Sequence, residues 1–237
     1  MVEYWPLTIH NSQFTIHQLT KFYLQSMSID NQKDYWNKVA LQKTFTHPID
    51  IDLLLKYVDK DATIIDYGCG YGRIVNELIE AGFSNITGYD TSIELINRGR
   101  VSHLPIQHID DPSQLPLIDN SVDCFLLFAV LTCIPSNDGQ TDLIKLLHSK
   151  LKSGAIIYIS DYYLQDNEGS KSRYTYHNSD LNNFGVFGLP EGATLRHHTR
   201  EWIAKLVQGF KMQKEHIIEV KTMNGNRAEA FQLIIRK

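Results

Sequence analysis

The sequence predicts a doubly wound α/β fold on a mostly parallel sheet, and three observations carry that expectation. Short β-branched runs alternate with stretches of helical period from Ile64 to Ser160, the pattern of successive βαβ units. The first run ends in Asp66 and passes at once into Gly68-Cys69-Gly70-Tyr71-Gly72, after which Ile74, Val75, Leu78 and Ile79 recur at helical spacing. The chain closes with two extended runs, Lys211 to Val220 and Ala228 to Ile235, around Asn224-Gly225-Asn226, a good antiparallel hairpin turn.

Residues 1–60 precede the first core strand and read as an N-terminal helical cap or lid, with residues 61–237 as the main domain. Helical spacing is expected over Gln13 to Leu24, Lys33 to Lys43 and Ile49 to Val58. Tyr35-Trp36 and Phe45-Thr46-His47-Pro48 place aromatics and a histidine just before the fold begins. Trp36 reads as the buried stripe of its helix; His47 reads equally as a site residue or as a turn residue before Pro48.

The glycine turn is a ligand-binding βα turn. Glycine there lets the backbone take positive φ and lets a ligand approach without a Cβ in the way, while the N–H groups of the next helix face the same crevice. A dinucleotide site wants GxGxxG, whereas this chain has GxGxG with Asp66 just before it. A carboxylate at that point suits a cationic ligand and would repel a pyrophosphate.

Ala81-Gly82-Phe83 ends the first helix, and Asn85 to Tyr89 reads as a strand terminating at Asp90. An acid about twenty residues beyond such a turn is placed to hydrogen-bond a ribose diol; Asp90-Thr91-Ser92 is equally placed to cap the helix expected over Ile93 to Arg100. Asp110-Asp111-Pro112, Leu115-Pro116 and Asp119-Asn120-Ser121-Val122-Asp123 follow, and Cys124 to Val130 is apolar enough for a central strand buried on both faces. A helix over Asp142 to Leu151, a stop at Lys152-Ser153-Gly154 and a fifth strand over Ala155 to Ser160 complete the alternation.

From residue 161 to 193 the pattern breaks. Tyr162, Tyr163, Tyr174, Tyr176, His177, Phe184 and Phe187 are interleaved with polar residues and glycines without a period, which reads as an irregular insertion at the active edge of the sheet. An acceptor pocket and a structural flap over the cap explain it equally. A helix over Arg200 to Gln208, stopped by Gly209-Phe210, leads into the final hairpin.

Asp66-Tyr67-Gly68-Cys69-Gly70-Tyr71-Gly72 resembles the first motif of class I S-adenosylmethionine-dependent methyltransferases, and Asp90, Asp111 with Leu115-Pro116, and the buried strand after Asp123 resemble the rest of that family's ordered pattern. The resemblance implies a seven-stranded sheet, S-adenosylmethionine as cofactor and S-adenosylhomocysteine as product. It implies that Asp66, Gly68, Cys69 and Gly70 hold the cofactor at the turn, that Asp90 meets the ribose hydroxyls with Thr91 beside it in the cofactor site, Thr91 and Ser92 serving rather as caps, that Asp111 rather than Asp110 faces the adenine amino group, and that the backbone near Phe128 and Ala129 borders the methionine part. The NPPY or DPPY tetrapeptide of relatives that methylate adenine or amide nitrogens is absent.

His47, Tyr162 and His198 are the candidates for orienting or deprotonating an acceptor. His197-His198 invites a metal, but adjacent side chains diverge and no third ligand has diagnostic spacing, so no metal is expected. Hydrophobic residues at 43%, charged residues at 21% and a net charge of -4 describe an ordinary globular chain without a basic footprint. The expected activity is methyl transfer to an O or N atom of a small-molecule acceptor; the alternatives are a tRNA or protein methyltransferase, or a non-catalytic S-adenosylmethionine-binding protein. Cys69, Cys124 and Cys133 form no CxxC or disulfide framework, which suits a reducing cytoplasm. Phe125 to Leu131, the longest apolar run, is too short to span a bilayer, and the N-terminus lacks a basic-then-apolar signal. No membrane or nucleic-acid partner is expected, and a homo-oligomer is compatible with this reading.

Overall fold

The computed structural model describes Met27 and residues 29–176 and 184–237. The helix expected over Gln13 to Leu24 and His177 of the aromatic stretch lie outside the described residues.

Seven strands form one sheet: β1 (Ile64–Tyr67), β2 (Ile86–Asp90), β3 (Ile106–His108), β4 (Val122–Phe128), β5 (Leu151–Tyr162), β8 (Lys211–Lys221) and β9 (Arg227–Arg236), in the order β3-β2-β1-β4-β5-β9-β8. All pairings from β3 to β5 are parallel, and β9 runs antiparallel to both β5 and β8. The doubly wound sheet with a terminal antiparallel hairpin is therefore present. The chain winds outward from β1 through β2 to β3 and returns to β4 beside β1, so the strand order reverses at the carboxyl ends of β1 and β4, where open α/β sheets place their ligands.

Side-chain alternation on the strands divides the core into two faces. Ile65, Phe125, Leu127, Ile157 and Ile159 pack with Leu143, Leu147 and Ile203, from α5 (Asn137–Lys150) and α7 (Arg200–Leu206). Ile64, Cys124, Leu126, Ile156 and Tyr158 pack on the other side with Leu54, Val75, Leu78 and Ile96, from α2 (Ile51–Leu54), α3 (Arg73–Glu80) and α4 (Ile93–Arg100). Phe125, Leu126 and Leu127 are fully buried, as a central parallel strand requires.

Several boundaries differ from the sequence reading for local reasons. The helix α1 (Lys33–Val39) stops short of Lys43, because the N–H groups of Gln42 and Lys43 turn back to the Val39 carbonyl. Helix α2 is a single capped turn, with the Asp50 side chain accepting from Leu53 N, and the chain beyond it tightens into i→i+3 bonds at Lys56 and Tyr57. Helix α5 begins at Asn137, ahead of Asp142, because Ser136 Oγ caps Gly139 N. Strand β5 begins at Leu151: Lys152-Ser153-Gly154 is a bulge between the Val122–Leu151 and Cys124–Ile156 pairs, not a helix stop.

The described part of the stretch from 161 to 193 holds regular elements rather than the expected irregular loop. It contains the end of β5, helix α6 (Glu168–Tyr176) and strand β6 (Val186–Gly188), which pairs antiparallel with β7 (Thr194–Arg196). Two three-residue strands and a polar helix are too short to leave a period in the sequence.

Ser92 couples two of these parts. Its Oγ caps α4 by accepting from Leu95 N at 3.2 Å and donates to Asn37 Oδ1 of α1 at 2.7 Å, fully buried. Ser92→Ala removes both bonds and leaves Asn37 Oδ1 with only its long contact to Glu94 N at 3.3 Å. We expect a loss of about 1–2 kcal/mol in urea unfolding; an unchanged midpoint would show that α1 is not held to α4 in this way.

Candidate active site

A cavity of about 770 Å³ opens at the carboxyl ends of β1, β2, β4 and β5, a size that holds a cofactor together with a small second ligand. Its floor is the glycine turn. Gly68 N and Cys69 N both donate to Tyr89 O, at 2.8 and 3.1 Å, and Gly70 N donates to Asp90 Oδ2 at 2.8 Å. Gly68 and Gly70 have φ of 74° and 56°, in the left-handed region where a side chain is strained. Space also forbids one: a Cβ on Gly68 would lie 2.8 Å from a Val130 methyl, and on Gly70 2.0 Å from the Phe45 ring.

Phe45 closes the turn from above. It stacks on Tyr71 at 5.0 Å, Trp36 meets it edge-on at 5.9 Å, and the guanidinium of Arg98, on α4, lies 3.8 Å from the Tyr71 centroid. Arg98 also donates to the Ala40 and Lys43 carbonyls, both at 2.8 Å. Trp36 thus lines the cavity, while its neighbour Tyr35 and Val39 are the buried residues of α1.

Asp66, next to last in β1, faces this cavity, 2% exposed, and its carboxyl accepts no hydrogen bond among the described residues. Burial pushes its pKa up to about 7, the Arg73 guanidinium working against that and the Asp90 carboxylate adding to it. A buried carboxylate without donors is costly unless a cation joins it. The ammonium group of an amino-acid ligand supplies that cation, so the residues present fit the methionine end of S-adenosylmethionine.

Asp90 is held differently. Gly70 N takes one oxygen and Ser92 N takes the other at 2.7 Å, fixing the carboxyl with lone pairs left over for a diol. Burial raises its pKa, and those backbone donors pull it back down. Thr91, Cys69 and Phe128 also line the cavity, with burial pushing the Cys69 thiol well up. Ala129 follows Phe128 at φ 56° and donates to Ser160 O at 2.7 Å, turning the end of β4 along the cavity wall.

Asp111 does not line the cavity; Ile109 and Pro112 do. Its carboxyl instead accepts from Ser113 N at 2.8 Å, Ser113 Oγ at 2.7 Å and Gln114 Nε2 at 3.0 Å, which holds its pKa below the usual carboxylate range. An acid so close to Ser113 and Gln114 closes its own turn. Asp110 is exposed, 3.9 Å from His108 Nδ1.

Of the three residues expected to handle the acceptor, two reach the cavity. His47 is 3% exposed, with Nδ1 3.0 Å from Ser160 Oγ and Nε2 without a partner among the described residues. Its ring meets Tyr162 edge-on at 4.6 Å. Burial, with the Arg73 charge, pushes its pKa down to about 4, so it is neutral at physiological pH. Tyr162 also lines the cavity, its phenol raised far above the ordinary value mainly by burial.

His198 lies behind the wall. Its Nδ1 donates to Tyr162 O at 3.0 Å, its Nε2 is 2.9 Å from Gln140 Nε2, and it is fully buried outside the cavity lining. His197 faces the cavity instead, tilted against Tyr162 at 5.1 Å and held by Tyr174 through a short bond to Nδ1. Neighbouring side chains on an extended strand point oppositely, so one histidine of the pair had to turn away; the sequence carries no signal for which. Arg73, Arg173 and the hairpin residues from Thr222 to Ala228 also reach the wall without a motif to announce them.

A doubly wound sheet with an acid-flanked glycine turn at its switch point defines an α/β enzyme that binds a cofactor with a cationic end. Residues 47–214 match the family described as a methyltransferase domain, and the chain belongs to that family. In fold and family it is a class I S-adenosylmethionine-dependent methyltransferase. A crystal structure of a SAM-dependent methyltransferase from Methanosarcina mazei is 25% identical, with a TM-score of 0.72 over 80% of this chain and 99% of that one. Another from Mesorhizobium loti is 16% identical, with a TM-score of 0.57 over 78% and 96%. The 1,6-didemethyltoxoflavin-N1-methyltransferase of Burkholderia thailandensis, with bound 1,6-didemethyltoxoflavin and S-adenosylhomocysteine, is 14% identical, with a TM-score of 0.56 over 87% and 79%. No curated protein sequence matches the chain.

Two outcomes follow for the cofactor end. Gly70→Ala should displace Phe45 and weaken S-adenosylhomocysteine binding at least about tenfold in calorimetry, because both φ and the ring exclude the methyl; wild-type affinity would contradict the closed position of Phe45. For Asp66 the folded-state pKa of about 7 stands above the ordinary 3.8, so the group favours folding at low pH and opposes it as pH rises from 3.8 through 7. Asp66→Asn should therefore stabilise the ligand-free protein at pH 8, by about 2–4 kcal/mol, and the gain should shrink towards pH 5. Its cofactor affinity should fall and lose the wild type's decline below about pH 7. Destabilisation at pH 8 would mean that the carboxylate has a partner in the folded chain.

Proposed function

We propose that the protein transfers a methyl group from S-adenosylmethionine to an O or N atom of a small-molecule acceptor. One observation supports a small acceptor above all: the cavity is roofed by parts of the chain distant in sequence. Lys43 Nζ donates to Asn224 Oδ1 at 2.7 Å and lies 3.6 Å from Glu191, joining the N-terminal segment, the β6–β7 turn and the β8–β9 turn over the mouth. A polymer would need an open groove there.

In this reading Asp66 takes the cofactor's ammonium group, Asp90 the ribose hydroxyls, and Ile109 and Pro112 offer apolar surface to the base. Thr91, Cys69 and the backbone at Phe128 and Ala129 complete the wall. When bound, the cofactor supplies an electrophilic methyl carbon: its S–CH3 bond breaks as the new O–CH3 or N–CH3 bond forms, and the sulfonium leaves as a neutral thioether. The chain's own work is to hold the nucleophile in line and to exclude water. Phe45, Trp36 and Tyr162 do the second, and His47 and Tyr162 serve the first.

Neutral His47 accepts a proton from the acceptor only where the acceptor arrives protonated; with its pKa near 4 it stays unprotonated across the working range. The role first expected of His198 passes to His197, the member of the pair that lines the cavity. Cys69, Cys124 and Cys133 are free thiols, which supports a reducing cytoplasmic setting. No helix among the described residues is long and apolar enough to cross a membrane.

Calorimetry with S-adenosylmethionine and S-adenosylhomocysteine tests the reading directly. Saturable binding that weakens about tenfold or more in Asp90→Ala supports it, and a folded wild type that binds neither ligand overturns it. With labelled methyl donor and pooled small metabolites, His47→Gln and Tyr162→Phe should each lower turnover about 10- to 100-fold while S-adenosylhomocysteine affinity holds. Full turnover in both would remove these two from the acceptor site.

A further inference from the structure

The cavity wall carries the basic side chains of Lys43, Arg73, Arg173 and Arg227. Three of them already have a carboxylate: Lys43 is 3.6 Å from Glu191, Arg73 is 2.5 Å from Glu77, and Arg227 is 3.6 Å from Glu219. Arg173, on α6, has none among the described residues. Its guanidinium donates to Gly169 O at 3.3 Å and Ser170 Oγ at 3.2 Å and lies 4.8 Å from the centroid of the Phe187 ring.

A second donor borders the same ring. Gln165 N donates to Tyr174 Oη at 3.1 Å, and we take the phenol as the donor in its short bond with His197 Nδ1. Nδ1 is thereby the accepting nitrogen, and the neutral imidazole keeps its proton on Nε2. That N–H has no partner among the described residues, and the ring stands edge-on to Phe187 at 4.9 Å. Tyr162, tilted 30° from His197, continues the aromatic wall towards the cofactor end.

We infer that the acceptor is a planar aromatic acid, its carboxylate taken by Arg173 and the Nε2–H of His197 while its ring lies against Tyr162 and Phe187. The inference rests on the methyltransferase reading above and names the substrate class of that same site. An arginine fork and a second N–H donor match the two oxygens of a carboxylate, and that match is lost with a neutral amide of the same shape. Of the three acids that line the cavity, Asp30 is taken up by Ser136, while Asp66 and Asp90 face the glycine turn, so an acidic ligand group is steered away from the cofactor's ammonium pocket.

The test titrates the full chain, saturated with S-adenosylhomocysteine, with hydroxybenzoates and indole carboxylates, each against its primary amide. The carboxylates should bind at least about tenfold tighter than their amides. In Arg173→Gln that ratio should fall to within about twofold, and Arg173→Lys should restore part of it. S-adenosylhomocysteine affinity should be the same in all three proteins, since the contacts of Arg173 are with Gly169, Ser170 and Phe187 and not with the glycine turn. A ratio near one in the wild type, an unchanged ratio in Arg173→Gln, or no binding by either series overturns the inference and leaves the methyltransferase reading standing. Failure of the wild type to bind S-adenosylhomocysteine would overturn both.

Discussion

Three consecutive backbone N–H groups leave β1 and go to the end of β2: Gly68 and Cys69 to the Tyr89 carbonyl, Gly70 to the Asp90 carboxylate. The turn cannot shift without breaking all three, so the position of every group that follows is set by this lacing. It fixes the Asp90 rotamer and brings Gly68 against Val130. It also presents Gly70 as the flat surface on which Phe45 lies. The helix α3 then starts in the only direction left, carrying Arg73 to a point where it donates to the His47 carbonyl and faces Asp66.

The electrostatics of the cavity follow from what the lacing leaves over. The N–H groups that would otherwise satisfy a carboxylate near the end of β1 are spent on β2, so among the described residues Asp66 is buried without donors while Asp90 has two. In the proposed reading the first acid takes an external cation and the second takes neutral hydroxyls. On the far side, His47 and His197 are both kept neutral mainly by burial, with pKa values near 4 and 3. Such histidines act as fixed hydrogen-bonding groups, and their protonation on unfolding costs stability only as pH falls below the ordinary histidine value of 6.5.

The sheet and the cofactor turn were legible because their signals are local and redundant. The β-branched run before Asp66, the glycines, and the acid at Asp90 lie within a single βαβ unit, and each must be what it is for the backbone to pass. The buried run of β4 announced itself by length alone. The acceptor side was less legible, for a physical reason. Its wall comes from α1, the segment after it, α6, the β6–β7 ribbon and the β8–β9 turn, brought together by tertiary packing from parts of the chain distant in sequence. Asp111 shows the converse: an acid in the right place along the chain was turned into its own loop by Ser113 and Gln114. The choice between His197 and His198 depended on the isolated bridge from Tyr163 to His198, which sets the parity of that stretch.

The floor and the roof of the cavity differ in how firmly they are held. The floor rests on buried backbone hydrogen bonds and on two hydrophobic clusters. The roof rests on side-chain contacts across the mouth: Lys43 with Asn224 and Glu191, and Gln32 Nε2 with the Thr194 carbonyl at 2.6 Å. Partly exposed ion pairs of this kind contribute about 0–1 kcal/mol each. The mouth can therefore open for an acceptor at little cost while the turn beneath keeps its shape. The aromatic stack of Trp36, Phe45 and Tyr71 lies between the two, anchored to α4 by Arg98.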